Sequence, residues 1–314
     1  MAASTLGAPR ARSAWPVTGL IRGPVIGELS FPAAQRKLWE NRAAQLKLSQ
    51  MNDHLPKSSI PHSWGVAFRP TLLFVVAFIL NVTPHEIAHA ITGYWLGFNS
   101  TVFQMWVNPD SAEAAPWQLA IIALSGPVFS LAVGTVCWVI YKLRFTETPS
   151  GLGFLMMAIV GIYSFLGPLA GAAFGGDFHL AFAFLNIATT VGYLTSATGF
   201  LLLPSFMYYI GRELLRWVPR EFDRATTILC ATVAPWLLGS SLLLLVYWPL
   251  PKFLIGPMVA GSAFWVFAVL GASLGFPSRQ PAEILSSFNR TDLILAFATL
   301  TMVRLLANGI RLAH

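Results

Sequence analysis

The sequence predicts an all-α polytopic membrane protein with about seven transmembrane helices, within a range of six to eight, and three observations predict it. Hydrophobic residues make up 55% of the 314 residues and charged residues 11%, with a mean hydropathy of +0.64. That is too little charge to coat a soluble surface of this size. The apolar residues fall in continuous runs of spanning length, not in short alternating strands, which excludes an outer-membrane barrel; the same composition excludes disorder. Finally, the net charge of +7 is uneven: nine Lys and Arg residues precede the first run, against only Glu28, Glu40 and Asp53. In a membrane chain such an excess marks a segment held on the cytoplasmic side beside anionic headgroups, and no nucleic-acid partner is expected.

Residues 1–68 read as a basic N-terminal arm, partly disordered. Its first thirty residues have the composition of a transit peptide or of a disordered arm, without the apolar stretch of a secretory signal. Over 31–51, Leu38, Trp39, Ala43, Leu46 and Leu48 gather loosely on one side, the pattern of an amphipathic helix at the membrane surface, with a solvated helix as the alternative. Residues 69–217 form the membrane core, with spans at 71–98, 116–141, 151–190 and 193–216. The third is too long for one straight helix and carries Gly167-Pro168, Gly171, Gly175 and Gly176, so a broken span is expected there. Irregular backbone at membrane depth is tolerated only where protein or a wet cavity satisfies it, which makes the break a site candidate. Residues 218–314 supply additional spans at 226–249, 253–275 and 291–311. Cys137 and Cys230 lie inside apolar runs with no partner at ligand spacing and are read as inert.

The chemistry concentrates in His85-Glu86-Ile87-Ala88-His89. Two histidines at i and i+4 leave a helix from one face, one turn apart, so both imidazoles reach a single tetrahedral cation. Glu86 stands beside them as a general base for water and then as an acid for a leaving amine. With six His and eight Glu in the chain, a chance HExxH has an expectation on the order of 0.003. His85 lies about 20 Å along the first span at the helical rise, deep in the bilayer. Ionisable groups at that depth cost several kcal/mol unless paired, metallated or wetted.

A catalytic zinc takes a third protein ligand and keeps one position open. Asp177, following the expected helix break, is read as that ligand, with a helix N-cap as the alternative. His179 is read as a group near the metal or lining the cavity, or as a ligand in place of Asp177. Asn81, one turn before His85, orients that ring or bonds a neighbouring helix. Gly126-Pro127 either kinks the second span or shapes a substrate cleft.

The run HEIAHAITGYWLGFNSTVFQMW resembles the first core helix of the site-2 protease family of intramembrane zinc metalloproteases. Gly97 and the strand-like Thr101–Val107 stand where that family ends the helix and begins a strand. Ser125-Gly126-Pro127 is similar to the Gly-Pro element of its second core helix, and Asp177 matches the aspartate of its third. Ser130 stands near the place where the family usually carries Asn, which puts it beside the metal ligands together with Asn81 and His179, and Phe178 stands where Gly usually follows the aspartate. The resemblance covers roughly residues 70–190. It implies a three-helix metalloprotease core, Zn²⁺ on His85, His89 and Asp177, Glu86 as the catalytic residue, and a membrane-protein or transmembrane-helix substrate.

The resulting expectation is an intramembrane zinc endopeptidase. The strand-like 101–107 segment would pair with an unwound substrate by edge addition. A transporter or metal-handling membrane protein and an inactive protease homologue are the alternatives. The expected location is a multi-pass integral membrane protein with a cytoplasmic N-terminus, in a bacterial inner membrane first and an organellar membrane second.

Overall fold

Apolar runs punctuated by proline fold as helices because a helix satisfies its own backbone groups where no water can. The computed structural model describes residues 62–110, 113–146, 148–218, 223–248, 262–275 and 290–313; the amphipathic helix expected over 31–51 lies outside the described residues. Helix α1, His62–Trp95, is 34 residues long, about 50 Å at the helical rise and ample for a bilayer core. It runs on through Pro84, which has no N–H to give the Leu80 carbonyl. Strands β1 (Asn99–Val102) and β2 (Val107–Asp110) follow as a hairpin. Helix α2 (Pro116–Ile140) continues as a π-turn over Tyr141–Phe145, and α3 spans Pro149–Ala170. Each of these two helices begins on a proline whose missing N–H costs nothing at the first position.

The long third span breaks as expected. After Ala170 the chain turns through Gly171 to Gly176, and a short helix α4 begins at Asp177 and ends at Phe184. Gly176, at φ +88°, is the N-cap, so Asp177 is the first helical residue and not the cap. Helix α5 is Thr189–Leu214, followed by a 3₁₀ turn; α6 (Arg224–Ile228) runs through a π-turn into α7 (Ala234–Val246). Helix α8 is Trp265–Leu274 and α9 is Arg290–Leu306. The expected last span, 291–311, stops short: the chain turns at Gly309 and Ile310–Leu312 forms β3.

The three strands make one antiparallel sheet in the order β2-β1-β3, with Ser100 opposite Pro109 on one side and Leu312 on the other. The strand expected at 101–107 is corrected here. Its middle, Phe103 to Trp106, is the hairpin tip, closed by Phe103 N–H donating to Trp106 O at 2.9 Å and by stacked Phe103 and Trp106 rings. Because β1 is paired on both sides, it offers no free edge.

Helix α1 is the centre of the bundle and packs against α2, α3, α7 and α9. The core joins Phe74 and Ile79 of α1 to Leu155 and Ile159 of α3, Leu203 and Met207 of α5, Leu243 of α7 and Trp265 of α8. Outward, large apolar side chains stand bare: Trp95 is 80% exposed, Leu143 77%, Phe297 75% and Leu201 73%. Water would not tolerate so much apolar surface, whereas lipid solvates it. Among the described residues four helical stretches are long and apolar enough to cross a membrane, Ala67–Trp95, Pro116–Phe145, Ser150–Ala170 and Arg224–Val246. They are compatible with an all-α membrane protein. The described residues form one compact unit.

Candidate metal centre

The i, i+4 spacing on α1 sets His85 and His89 with ring centroids 4.8 Å apart and planes at 80°. Both rings are buried, and α4 brings Asp177 across to them. His85 Nε2 is 3.4 Å from Asp177 Oδ2, and His89 Nε2 is 3.9 Å from Asp177 Oδ1. Two atoms each about 2.1 Å from one tetrahedral centre lie about 3.4 Å apart, so these separations are close to those of a shared ion. One ligand atom from each residue falls within 4.8 Å of the others, and the trio could hold a metal ion.

Hydrogen bonds on the far side of each ring decide which nitrogen faces inward. His89 Nδ1 lies 2.6 Å from the Ile122 carbonyl, an acceptor only, so this nitrogen carries the proton. Ser130 Oγ–H donates to Asn81 Oδ1 at 3.1 Å, leaving its lone pair to accept from His85 Nδ1 at 3.0 Å. Assigned from these partners, both rings turn an unprotonated Nε2 toward a carboxylate. Three lone-pair donors turned toward one another repel unless a cation sits among them, and this donor set of two imidazoles and one carboxylate suits a divalent metal ion.

The close approach of α2 depends on Gly126. A Cβ there would collide with His89 Nε2 and lie 2.7 Å from His85 Cδ2. The Gly-Pro element therefore shapes the metal pocket itself. Ser125 Oγ–H donates to Ile122 O at 2.7 Å, on the same carbonyl that holds His89.

The residues singled out in the sequence do not all meet. His85, His89 and Asp177 converge, Glu86 lines the cavity beside them, and Asn81 and Ser130 form the relay behind His85. His179 stays apart, its Nδ1 3.3 Å from the Ala172 carbonyl. Sequence reasoning missed the hairpin tip. Gln104 Nε2–H donates to the Tyr247 carbonyl at 2.8 Å, and Met105 beside it reaches the cavity that Glu86 lines. Nothing in a four-residue turn signals that reach, because it depends on α7 lying opposite.

Fold and site together define a helical membrane protein with a buried His-His-Asp cluster able to hold a metal ion. No protein-family model matches the chain, and no curated protein or solved structure matches it either.

Proposed function

We propose that the protein is an intramembrane endopeptidase that cuts peptide bonds within or beside the bilayer, using Zn²⁺ held by His85, His89 and Asp177. The observation that carries this reading is the convergence of those three donors next to Glu86 on the wall of an apolar cavity. The resemblance of the 85–106 run to site-2 proteases supports the same reading. When bound, the ion supplies Lewis acidity to a carbonyl and to water. Glu86 takes the proton of the attacking water and returns it to the amine nitrogen as the C–N bond breaks. Ser130 and Ile122 keep the rings turned inward. The apolar walls from α1, α3 and α7 limit the water that reaches Glu86. The substrate in this reading is a transmembrane helix or membrane protein, reached from the lipid.

The reading keeps seven spans, with α5, the 253–275 segment and α9 added to the four apolar helices. Cross-links at the ends support that count. Arg69 pairs with Asp292 at 3.0 Å, joining the starts of α1 and α9, and Lys142 pairs with Glu213 at 3.0 Å, joining the ends of α2 and α5. Arg304 donates to the Trp248 carbonyl at 3.4 Å at the other end, near the sheet. Lys142, Arg144, Arg212 and Arg216 share the end that holds Arg69, the arrangement of a cytoplasmic face with the N-terminus inside. A bacterial inner membrane is the first choice and an organellar membrane the second.

The test is purified full-length protein in detergent, assayed for bound zinc and for cleavage of a helical substrate with and without chelator. Glu86→Gln is expected to retain zinc and to abolish cleavage. Cleavage by Glu86→Gln at the parent rate overturns the catalytic assignment. Zinc binding with metal flux in proteoliposomes and no peptide product assigns the cluster to a transporter instead.

A further inference from the structure

A cavity of about 300 Å³ lies against the site, with His85, Glu86 and Asp177 on one wall. The remaining walls include Phe78 and Val82 of α1, Val160 and Tyr163 of α3, Leu243 of α7 and Trp265 of α8. We infer that this cavity is the subsite for one large apolar side chain, that of Leu, Met or Phe, next to the scissile bond; the inference rests on the peptidase reading above.

Size decides the occupant first. An apolar cavity of about 150 Å³ accepts one benzene-sized ring. A space of about 300 Å³ thus takes a large side chain together with the extended backbone that carries it. Position decides next. A base acts within hydrogen-bond reach of the water it deprotonates, and a side chain beside the attacked carbonyl then falls into the space that Glu86 borders.

Polarity decides the class. Among the described residues the charged or readily charged groups on the cavity wall are His85, Glu86 and Asp177; the other polar ones are the Tyr163 phenol and the hydroxyls of Ser164, Ser240 and Ser262. An Asp or Glu side chain there faces Glu86 and Asp177, and a Lys or Arg pairs with the general base and disables it. An uncharged side chain leaves the base free, and a large apolar one also packs against the mostly apolar wall. That wall is firm, since Val160 and Leu243 are almost fully buried in the core that joins α1 to α3 and α7.

The experiment uses zinc-loaded full-length protein and single-span substrate peptides that differ at one residue beside the cut, carrying Leu, Phe, Ala, Lys or Asp. Products are located by mass spectrometry and kcat/KM is measured. Leu and Phe are expected to exceed Ala by about tenfold or more, with Lys and Asp lower still. Val160→Trp fills the cavity and should lower kcat/KM for the Phe peptide by about tenfold or more relative to the Ala peptide, so that the ratio of the two is the readout. As a readout that survives a poorly folding variant, the Glu86→Gln protein is cross-linked to a peptide bearing benzoylphenylalanine at the same residue. The label is expected on α1, α3 or α7 peptides lining the cavity. Equal rates for Leu and Ala, or labels only on the lipid-facing surface, overturn the subsite. Failure to cleave any peptide, with labels still on Val160 or Leu243, overturns the peptidase reading and leaves the cavity as a binding pocket for an apolar side chain.

Discussion

Two hydrogen bonds behind the rings decide whether His85 and His89 are ligands at all, since each holds the proton on Nδ1 and turns Nε2 inward. Ser130→Ala removes the acceptor for His85 Nδ1, and loss of such an outer partner typically costs about 10–100-fold in metal affinity. Competition with a zinc chelator measures it, and an unchanged affinity would show that the ring is held by packing alone. Gly126→Ala acts through space instead of charge. Its Cβ would meet both imidazoles, so the variant is expected to fold and to lose zinc, as read by metal content after size exclusion. A Gly126→Ala protein with full zinc occupancy would mean that α2 gives way. The HExxH spacing was legible because an i, i+4 pair shares a helix face in any helix. Ser130 was legible as a neighbour of the site, but its bond to His85 in particular was not, since 45 residues separate the two and only the α1–α2 packing joins them.

Between elements, the approach of α2 to α3 sets where Ser130 stands. Gly134 faces Gly161, and a Cβ on Gly134 would lie 2.6 Å from the Ile162 nitrogen. Gly134→Val therefore pushes the helices apart, with an expected cost of about 1–3 kcal/mol, visible as a lower Tm in detergent and weaker zinc binding. Gly153→Ala on α3 is the contrast. Its Cβ meets nothing within 4 Å, so the substitution is expected to be neutral or to stabilise by up to about 1 kcal/mol through helix propensity. Equal effects of the two changes would refute the close-packing argument. The broken third span was legible from Gly and Pro punctuation, because those residues alone tolerate or force the turn. The strand was misplaced by several residues. Thr101–Val107 has the β-branched and aromatic composition of a strand, yet β3 pairing and the Gln104 contact to α7 override that propensity and make its middle a tip.

For the whole molecule, the Arg69–Asp292 pair fastens the first described helix to the last, with side chains only 4% and 12% exposed. Asp292→Asn takes one countercharge from a buried guanidinium, a loss expected to cost up to about 3–5 kcal/mol, whereas replacing both partners by apolar residues should recover part of it. Thermal unfolding in detergent of the single and double variants checks this, and an unchanged Tm in Asp292→Asn would show that the pair contributes nothing. Such a long-range pair has no signature in the chain, since residues 69 and 292 are ordinary charges at the ends of apolar runs. The sequence by itself determined that this is a helical membrane protein, that its third span breaks, and that two histidines and a glutamate share one turn of helix. Those follow from composition and from helical periodicity, which are local. Only the tertiary structure decided that Asp177 faces the histidines, that Ser130 and Ile122 orient them, that a cavity opens beside Glu86, and that the C-terminal strand closes the edge of β1. Each of these joins residues tens to hundreds of positions apart, and such contacts depend on how helices pack, a relation that hydropathy and spacing do not encode.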